Sequence, residues 1–452
     1  MDSIADMWAR EAINQRAADL ERYQEAWAAY IGDMPDTLAI DPRTKINDNT
    51  KINYIRTVVD KGVSSLFGTG VTFNLDAAAD TRTPPEEWLD ECLRVNRFAV
   101  LLQKLGINGA IYGHPFLKIQ LGAQYPRLIN IPPEYVTVIG DPDDIEVVNA
   151  YIIQYTVIDL DGRPRDSRQT VERNEAGRWI VRDETRAAHG PWIVEQESVW
   201  PYDWPPIIDC QNLPCPNDYY GLPDVGRDVV ALNRSVNFVL SNVQRIIRFH
   251  AHPKTVATGV TATQLDVSVD GLIILNAPGA DLHNIEMTSD LSSSIEYFKR
   301  LREALHEVTR TPEVATGKLE GAGALSGVAL RILYGPLEEK TNTKRLTYGE
   351  MLIELCRRLL EIGGFGNQNL VTIEWPAVVP ANEVEERQVA LMDEQIGASK
   401  DTLLTRLGFD ADEEKEKRDA QGVDMADQLL TAFDRGAMPA DNGNGKADAK
   451  RA

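Results

Sequence analysis

Several residue types that define common protein classes are scarce in this 452-residue chain. It has only six scattered histidines and four cysteines, which are Cys92, Cys210, Cys215 and Cys356. A zinc site needs two closely spaced pairs of such residues, and the sequence does not contain two pairs with that spacing. No run of about 18 apolar residues occurs, so no transmembrane helix is expected. We therefore interpret the cysteines as reduced structural thiols, and we expect no metal, no cofactor and no membrane attachment.

Basic residues are outnumbered by acidic ones. The chain has 47 lysines and arginines against 69 aspartates and glutamates, a formal net charge of −22. A protein that grips nucleic acid normally shows a basic patch, because neutralising phosphates supplies most of the affinity. The charge therefore disfavours a tight nucleic-acid binder. It fits general solubility, the simpler interpretation, or a surface that a polyanion passes without adhering.

Catalytic signatures are missing as well. Neither H-E-x-x-H nor G-x-S-x-G occurs in the chain. The acidic run DPDD at 141–144 lacks the spacing of a calcium-binding loop and is better explained as a turn. We predict that the protein is not an enzyme, and an enzyme with an unrecognised site is the alternative.

A glycine-rich segment, TGKLEGAGALSG at 316–327, lies between two helical patterns. It is not a phosphate-binding P-loop, because Lys318 follows the first glycine of the segment and no glycine precedes that one by five residues. A dinucleotide-binding turn also fails, because Gly327 comes one residue too late after Gly321 and Gly323 and the preceding pattern is helical. The segment is predicted to be a mobile connection between helices.

The hydrophobic pattern predicts an α+β fold. Helical periodicity covers 1–30, 52–67 and 86–112, and short β-rich runs separated by turn residues fill the body between about 107 and 206. A strand is predicted at 71–73 and another at 370–375. The segment from 380 to about 421 is predicted to be helical and acidic, and the residues from 439 onward to be disordered.

Two helices frame a β-rich excursion in the second half. The first follows Asp224, a plausible N-cap, and runs to His250; the second runs from Leu291 and ends before Pro312. Apolar residues on the first helix recur with an average spacing of about 3.5, which is typical of a seam against another helix and predicts a partner beyond the single chain. They are Val225, Val229, Leu232, Val236, Val239, Val243 and Ile246.

A third helix is predicted from near Ser326 to about Ile362. Gly335 and Pro336 lie inside it, and the proline predicts a kink or a break. Residues 338–345 contain no large apolar side chain, so this stretch is either a linker or a helix exposed to a wet surface or channel. We favour the exposed helix, because apolar residues continue in helical phase after it.

The order of these elements resembles that of the portal (head–tail connector) proteins of tailed bacteriophages, of the long-tailed type. No single motif is strong, but their number and order make the resemblance specific, and it covers nearly the whole chain except the last dozen or so residues. The segments that carry it are KINYIRTVVDKGVSSLFGTGVTF, GHPFLKIQ with PRLINIPPEYVTVIGDPDD, YGLPDVGRDVVALNRSVNFVLSNVQRI and GALSGVALRILYGPLEEKTNTK.

The resemblance implies a division into the parts of a portal subunit. They are a mixed α/β wing at 1–223, stem helices at 224–250 and 291–311, a small clip at 251–290, a tunnel loop at 312–327, a long kinked helix with a returning wing strand at 328–381, a helical crown at 382–435 and a disordered tail at 436–452.

The resemblance also implies a function. Portal proteins form rings, usually of twelve subunits, at one capsid vertex, and double-stranded DNA passes through the ring without sequence specificity during packaging and ejection. The implied partners are other copies of the chain, a large terminase, a head-completion or adaptor protein, and the major capsid and scaffold proteins. The implied location is the virion, with assembly in the host cytoplasm. A ring-forming scaffold without a DNA conduit is the alternative, and the particle is a phage, a prophage or a gene-transfer agent.

Site residues follow from the same resemblance. The valine-rich stripe of the first stem helix would be the seam between subunits, and Gly335 and Pro336 would form the helix kink. Glycines would let the tunnel loop shift as DNA passes, and Lys318 would make a weak, salt-sensitive phosphate contact. The residues expected to face DNA are Thr316, Gly317, Lys318, Leu319, Glu320, Gly321, Ala322 and Gly323.

Overall fold

The computed structural model describes residues 17–40, 42–43, 45–75, 83–158, 161–187, 190–251, 255–258, 279, 281–284, 291–316, 327–366, 371–379, 392–393, 396–397, 399–406, 414–415 and 417. The chain divides into two units, Met1–Val379 and Pro380–Ala452. The first unit combines helices with several β-sheets, which confirms the predicted α+β class.

Seven helices are described in the first unit. Four of them and the long last helix contribute fully buried side chains to one hydrophobic core, for example Leu102 and Leu105 from the fourth helix and Leu352 and Leu355 from the seventh. The helices are α1 (Ala17–Ile31), α2 (Tyr54–Phe67), α3 (Pro84–Val95), α4 (Phe98–Tyr112), α5 (Arg227–Ala251), α6 (Ser292–Val308) and α7 (Gly327–Ile362).

The strands form four antiparallel sheets. Two are pairs, β1 with β12 and β10 with β11; one has the order β3-β2-β9, and the largest has the order β4-β5-β6-β7-β8. The strands are β1 (Thr72–Asn74), β2 (Phe116–Gln120), β3 (Arg127–Ile131), β4 (Val136–Gly140), β5 (Val148–Ile158), β6 (Pro164–Arg173), β7 (Trp179–Ala187), β8 (Ile193–Val199), β9 (Ile207–Asp209), β10 (Thr255–Thr258), β11 (Asp281–Asn284) and β12 (Thr372–Glu374).

A second, smaller core joins the three-stranded and five-stranded sheets. Phe116 and Ile207 of the smaller sheet cluster with Val136, Tyr151 and Ile153 of the larger one. The alternation of apolar and polar residues along these strands places the apolar side chains on one face. The predicted β-rich body is therefore confirmed.

The helical pattern over 86–112 covers two helices rather than one. Helix α3 ends at Val95 and α4 begins at Phe98. The Asn96 side chain donates to the carbonyl of Cys92 at 2.8 Å and accepts the N–H of Leu128 at 2.8 Å, and Arg97 is left-handed with φ 50°. A polar cap followed by a left-handed residue ends a helix even where the apolar period continues.

The strand predicted at 370–375 returns to the N-terminal part of the chain. Strand β12 pairs antiparallel with β1, with Thr72 opposite Glu374. Both short strands lie within a residue or two of their predicted positions. The pairing joins two segments that are about three hundred residues apart in sequence.

In the second unit the described residues include one helix, α8 (Lys400–Arg406), in which Leu403 is buried. The predictions for residues 317–326 of the tunnel loop, most of the clip, most of the crown and the C-terminal tail lie outside the described residues.

Candidate functional site

The two predicted stem helices are present and in contact. Helix α5 begins at Arg227 and α6 ends at Val308, close to the predicted limits, and the two helices pack against each other. At the far end of α5, β10 and β11 form an antiparallel ribbon, with Thr255 opposite Asn284. The two helices therefore form a hairpin, and a small β-ribbon lies between them in sequence.

The apolar stripe of α5 is buried inside the single chain. Val225 and Val229 belong to the main core, and Val236 and Val239 are also buried. The remaining members of the stripe, Leu232, Val243 and Ile246, are half-buried. The single chain thus buries four of the seven stripe residues and leaves three half-buried. The role of the stripe as a seam between subunits stays a prediction.

A second face of α5 binds an extended segment of the N-terminal region. Asn233, Asn237 and Ser241 stand four residues apart on this face and are buried. Each of these three side chains accepts one hydrogen bond from a backbone N–H, and the donors are every second residue of the segment 50–54. The donors are Tyr54 to Asn233 Oδ1 at 3.1 Å, Ile52 to Asn237 Oδ1 at 2.9 Å and Thr50 to Ser241 Oγ at 2.9 Å.

The match between helix and segment follows from their geometry. Four residues of α-helix rise about 6 Å, and two residues of extended chain advance about 6.6 Å, so three successive rungs stay in register. Asp48 continues the pattern one rung further, where its carboxylate pairs with Arg248 at 2.6 Å and Arg245 at 3.3 Å. We call these contacts the polar ladder of α5.

Asp224 is not the helix N-cap that its position suggested. Helix α5 begins three residues later, and the Asp224 carboxylate is buried instead beside two lysines of α7. Lys344 Nζ donates to Asp224 Oδ2 at 2.6 Å, and Lys340 Nζ lies 3.8 Å from the same oxygen. Burial alone would raise the pKa of Asp224, but Lys340 and Lys344 lower it below its ordinary value.

Residues 338–345 are helical, as we favoured, but the prediction that this stretch is exposed is wrong for one face. Lys340 is 3% exposed, Thr341 1% and Lys344 2%. The lysines occupy the interior because Asp224 supplies the opposite charge there, and Thr341 Oγ1 donates to the carbonyl of Leu337 at 2.7 Å. A helix face without apolar residues is thus buried through charge pairing and hydrogen bonds.

The buried lysines connect several elements. Lys340 Nζ donates to the carbonyl of Thr309, just after α6, at 2.8 Å. Asn212 Nδ2 donates to Asp224 Oδ1 at 3.3 Å, and Tyr348 of α7 donates to Asn212 Oδ1 at 3.2 Å. We call Asp224, Lys340, Lys344, Asn212 and the Thr309 carbonyl the joint cluster. It holds the start of α5, the end of α6 and the middle of α7 together.

The described residues also define both ends of the tunnel loop. The Nδ1–H of His306 donates to the carbonyl of Thr311 at 2.7 Å, and Arg302 pairs with Glu313 at 2.6 Å. In the first residues of the predicted loop, Ala315 joins a small hydrophobic cluster with two residues of α7, which follow the loop. They are Tyr334 and Leu337. Of the eight predicted DNA-facing residues, the structure describes Thr316 alone; Gly317 to Gly323 lie outside the described part.

Helix α7 continues through Pro336 without a break. Pro336 has no N–H to donate to the carbonyl of Ile332, but Ile332 is exposed and solvent can satisfy that carbonyl. The predicted break is therefore absent, and the kink at Gly335 and Pro336 stays a prediction.

A separate buried polar cluster lies between the sheets of the wing. Asp209 accepts a hydrogen bond from Tyr151 at 2.9 Å and another from Tyr219, and His114 Nε2 lies 2.6 Å from Asp209 Oδ2. Burial alone would raise the pKa of Asp209, but the contacts of His114, Tyr219 and Tyr151 lower it. We call these four residues the wing cluster.

The structure also bears on the expected turn and on membrane spans. In the acidic run at 141–144, the side chain of Asp141 accepts the N–H of Asp143 at 2.9 Å, which confirms the predicted Asp/Pro turn. Within the described part of the chain, no helix is long and apolar enough to cross a membrane.

Comparison with known proteins assigns the chain to a family. The sequence pattern of the family described as phage portal protein, SPP1 Gp6-like, matches residues 10–426. The match spans most of the chain, and the matched family is one of structural phage proteins. The protein belongs to this family and is a phage portal protein. No curated protein matches the sequence.

Two solved structures are similar to the chain. One is the neck of an empty gene transfer agent particle computed with C6 symmetry, with 16% identity, coverage of 78% of this chain and 88% of that chain, and a TM-score of 0.48. The other is the virion of a native gene transfer agent particle, with 15% identity, coverage of 78% and 89%, and a TM-score of 0.46.

Proposed function

We propose that the chain assembles into a ring, most simply of twelve copies, at one vertex of a capsid, and that double-stranded DNA passes through its central channel. Membership of the portal family supports this proposal. The observation that carries it is the exposed apolar surface of the stem hairpin. Phe238 is 49% exposed, Ile295 47% and Tyr297 55%, although both main faces of α5 are already covered. Large exposed apolar side chains on one element favour a protein interface.

The charge of the chain supports a conduit rather than a clamp. Its net charge of −22 disfavours the many phosphate contacts on which tight DNA binding depends. In the tunnel loop, Lys318 is the only basic residue between Thr316 and Gly327. One lysine per subunit makes a weak contact that salt screens, so DNA slides past it instead of adhering.

Further partners follow from the same proposal. The clip at 251–290 would dock the large terminase and later the head-completion or adaptor protein, and the wing and crown would contact the major capsid and scaffold proteins. ATP hydrolysis would belong to the terminase, because the sequence has no P-loop. The protein would thus be part of the virion after assembly in the host cytoplasm.

The ring is tested by removing its proposed contact surface. Replacing Phe238 and Tyr297 together with serine should lower the fraction of rings in native mass spectrometry at a fixed protein concentration. Glu303→Ser is the matched control, because Glu303 is an exposed polar residue on the same hairpin, and it should leave the fraction unchanged. Equal ring fractions for wild type and the double variant would exclude this surface as the contact.

The conduit is tested at the tunnel loop. Gly321→Pro should stall DNA entry because it restricts the backbone. Lys318→Ala should change packaging only modestly, and the change should shrink as salt rises. The measurement is DNA packaged per prohead in a reconstituted motor assay across a salt series. Normal packaging by Gly321→Pro together with failure of Lys318→Ala at every salt concentration would mean that the loop grips DNA specifically.

The alternative is a ring-forming scaffold without a DNA conduit. A view of negatively stained particles along the ring axis separates the two possibilities, because a conduit needs a central hole wide enough for duplex DNA. Rings that are closed at the axis in every class average would favour the scaffold.

A further inference from the structure

A cleft of about 150 Å³ lies between α1, the turn that follows α1, and α5. Its walls are mostly apolar: Ala28 and Ala29 of α1, Met34 of the turn and Val230 of α5. An apolar cavity of about this volume holds one benzene ring. The cleft therefore has the size and the lining for a single aromatic side chain.

The cleft also offers a hydrogen-bond donor. Asn237 lines it and is 2% exposed, and its Oδ1 already accepts the N–H of Ile52. Its Nδ2 donates to Met34 Sδ at 3.7 Å, and the same sulfur accepts from Asn233 at 3.1 Å. A thioether sulfur is a weak acceptor, so a hydroxyl oxygen in the cleft would serve this amide better. An aromatic side chain with a polar tip, tyrosine, fits both features.

The rim of the cleft is charged and borders the stem hairpin. Glu25, Asp33 and Arg234 line the cleft and are exposed. Phe238 is 49% exposed and follows Arg234 by four residues on α5, so the two side chains are neighbours on the helix surface. The cleft is therefore continuous with the apolar surface through which the subunits of the ring are proposed to meet.

A closed ring needs two unlike surfaces that fit each other, because every subunit contacts a different neighbour on each side. Among the residues of α5 and α6, the tyrosine is Tyr297 on α6, which is 55% exposed. Arg300 follows one turn later with a side chain that is 72% exposed. Its charge is opposite to that of Glu25 and Asp33, and its pairs with glutamates of α6 are exposed and therefore weak.

Tyr297 and the cleft lie at the same level of the hairpin. Lys340 Nζ contacts both the Thr309 carbonyl and Asp224 Oδ2, so the end of α6 is level with the start of α5. Tyr297 precedes Thr309 by twelve residues, and Asn237 follows Asp224 by thirteen. At about 1.5 Å per residue, both lie roughly 20 Å from the joint cluster. Rotation about an axis along the hairpin keeps this level from one copy to the next.

We propose that the cleft between α1 and α5 of one copy binds the Tyr297 side chain of the next copy in the ring. The phenol ring lies between the apolar walls, and its hydroxyl oxygen accepts from Asn237 Nδ2. Arg300 of the same copy faces the carboxylates of Glu25 and Asp33. The proposal rests on the proposed ring and names the two unlike surfaces through which neighbouring subunits interlock.

Cross-linking of the full-length assembled protein tests the proposal while Tyr297 stays in place. The double variant Asp33→Cys with Ser293→Cys carries one thiol on the rim and one on the exposed turn before Tyr297. A short bismaleimide should give a ladder of covalent oligomers on a denaturing gel, and native mass spectrometry counts the rings in the same sample. The controls are the two single variants and Glu87→Cys with Ser293→Cys, because Glu87 is exposed on α3; none should give a ladder.

Filling the cleft provides a second test. Ala28→Leu adds three carbon atoms to a wall of the cleft and should raise the protein concentration at half-assembly about tenfold, as expected when a buried aromatic anchor is displaced. Tyr297→Phe keeps the ring but removes the acceptor for Asn237, and should raise it about threefold. Gln24→Leu is the matched control, because Gln24 is exposed one turn earlier on α1, and it should assemble like the wild type.

Three results would overturn the proposal while leaving the ring intact. They are rings of the double-cysteine variant that give no ladder, cross-links confined to single chains, and wild-type assembly of Ala28→Leu. The second would mean that the cleft binds a segment of its own chain, and the third that it stays empty in the ring. Wild-type protein that forms no rings at all would overturn the ring itself, so the two failures are distinguishable.

Discussion

Two largely buried carboxylates of the first unit, Asp209 in the wing cluster and Asp224 in the joint cluster, have partners that differ in kind. Asp209 is surrounded by two tyrosine hydroxyls and one histidine. Asp224 faces two lysines. Hydroxyl groups stabilise a carboxylate without carrying charge of their own, whereas each lysine brings a charge that must itself be compensated.

The difference matters because of where each cluster lies. The wing cluster connects β5 and β9 with His114, just before β2, and with the loop that follows β9. The joint cluster connects the start of α5, the end of α6 and the middle of α7. Hydroxyl donors and a histidine therefore hold the sheets, whereas two lysines and one carboxylate hold the helices.

The largest effect is expected when the joint cluster loses its carboxylate. Asp224→Asn has nearly the same shape but leaves Lys340 and Lys344 buried without an opposite charge, which should lower the free energy of unfolding by about 3–5 kcal/mol. Differential scanning calorimetry at pH 7 measures the loss, with Asp161→Asn in an exposed turn as the control. Equal melting temperatures for Asp224→Asn and the control would mean that the lysines are solvated rather than paired with Asp224.

A smaller loss is expected for the equivalent change in the wing cluster. In Asp209→Asn, the amide oxygen still accepts from one of the two tyrosines, which donate to different oxygens of the carboxylate. The cost should be about 1–3 kcal/mol, the penalty of an imperfectly satisfied polar group. The same calorimetry compares the two variants directly. A larger loss for Asp209→Asn than for Asp224→Asn would reverse the comparison between the clusters.

The polar ladder of α5 offers a comparison for both carboxylate variants, because a hydrogen bond between uncharged groups can be removed there. Asn237→Ala removes the acceptor of the Ile52 N–H in a part-buried hydrogen bond, which should cost about 1 kcal/mol. Asn242→Ala is the matched control, because the Asn242 side chain donates only to a carbonyl of its own helix. Equal melting temperatures for the two variants would show that water replaces the ladder bond.

Much of the fold could be predicted from the sequence, because helix and strand periods are local properties. The limits of α5, α6 and α7 and the β-rich body agree with the pattern to within a few residues. The end of α3 was missed, because the capping bonds of Asn96 reach the carbonyl of Cys92 and the distant Leu128. Apolar spacing carries no information about such a cap.

The site was less accessible to sequence reasoning, because its charges find their partners across long separations. Lys344 and Asp224 are 120 residues apart, and a lysine in a polar run is normally solvated. The spacing of Asn233, Asn237 and Ser241 is visible as a polar stripe on the helix, but their partner segment lies about 180 residues earlier. Only the folded chain brings these residues together.

The smallest effect is expected from a single hydroxyl of the wing cluster. Tyr151→Phe removes one of the hydrogen bonds that lower the pKa of Asp209, at a cost of about 1 kcal/mol. A carboxylate with a lowered pKa stabilises the fold above its unfolded pKa and loses that contribution as the pH falls through the folded value. With one donor fewer, the folded pKa lies nearer the unfolded pKa, so the variant should lose less additional stability than the wild type as the pH falls below the unfolded pKa.

Melting temperatures measured between pH 6 and pH 3 check this expectation. Thr156→Val is the control, because the hydroxyl of Thr156 lies on the same strand but donates to the half-buried Asp166 instead. An equally large acid-dependent loss of melting temperature in Tyr151→Phe and in the wild type would mean that the other contacts alone set the ionisation of Asp209. The carboxylate would then depend on His114 as strongly as Asp224 depends on its lysines, and the contrast between the two clusters would disappear.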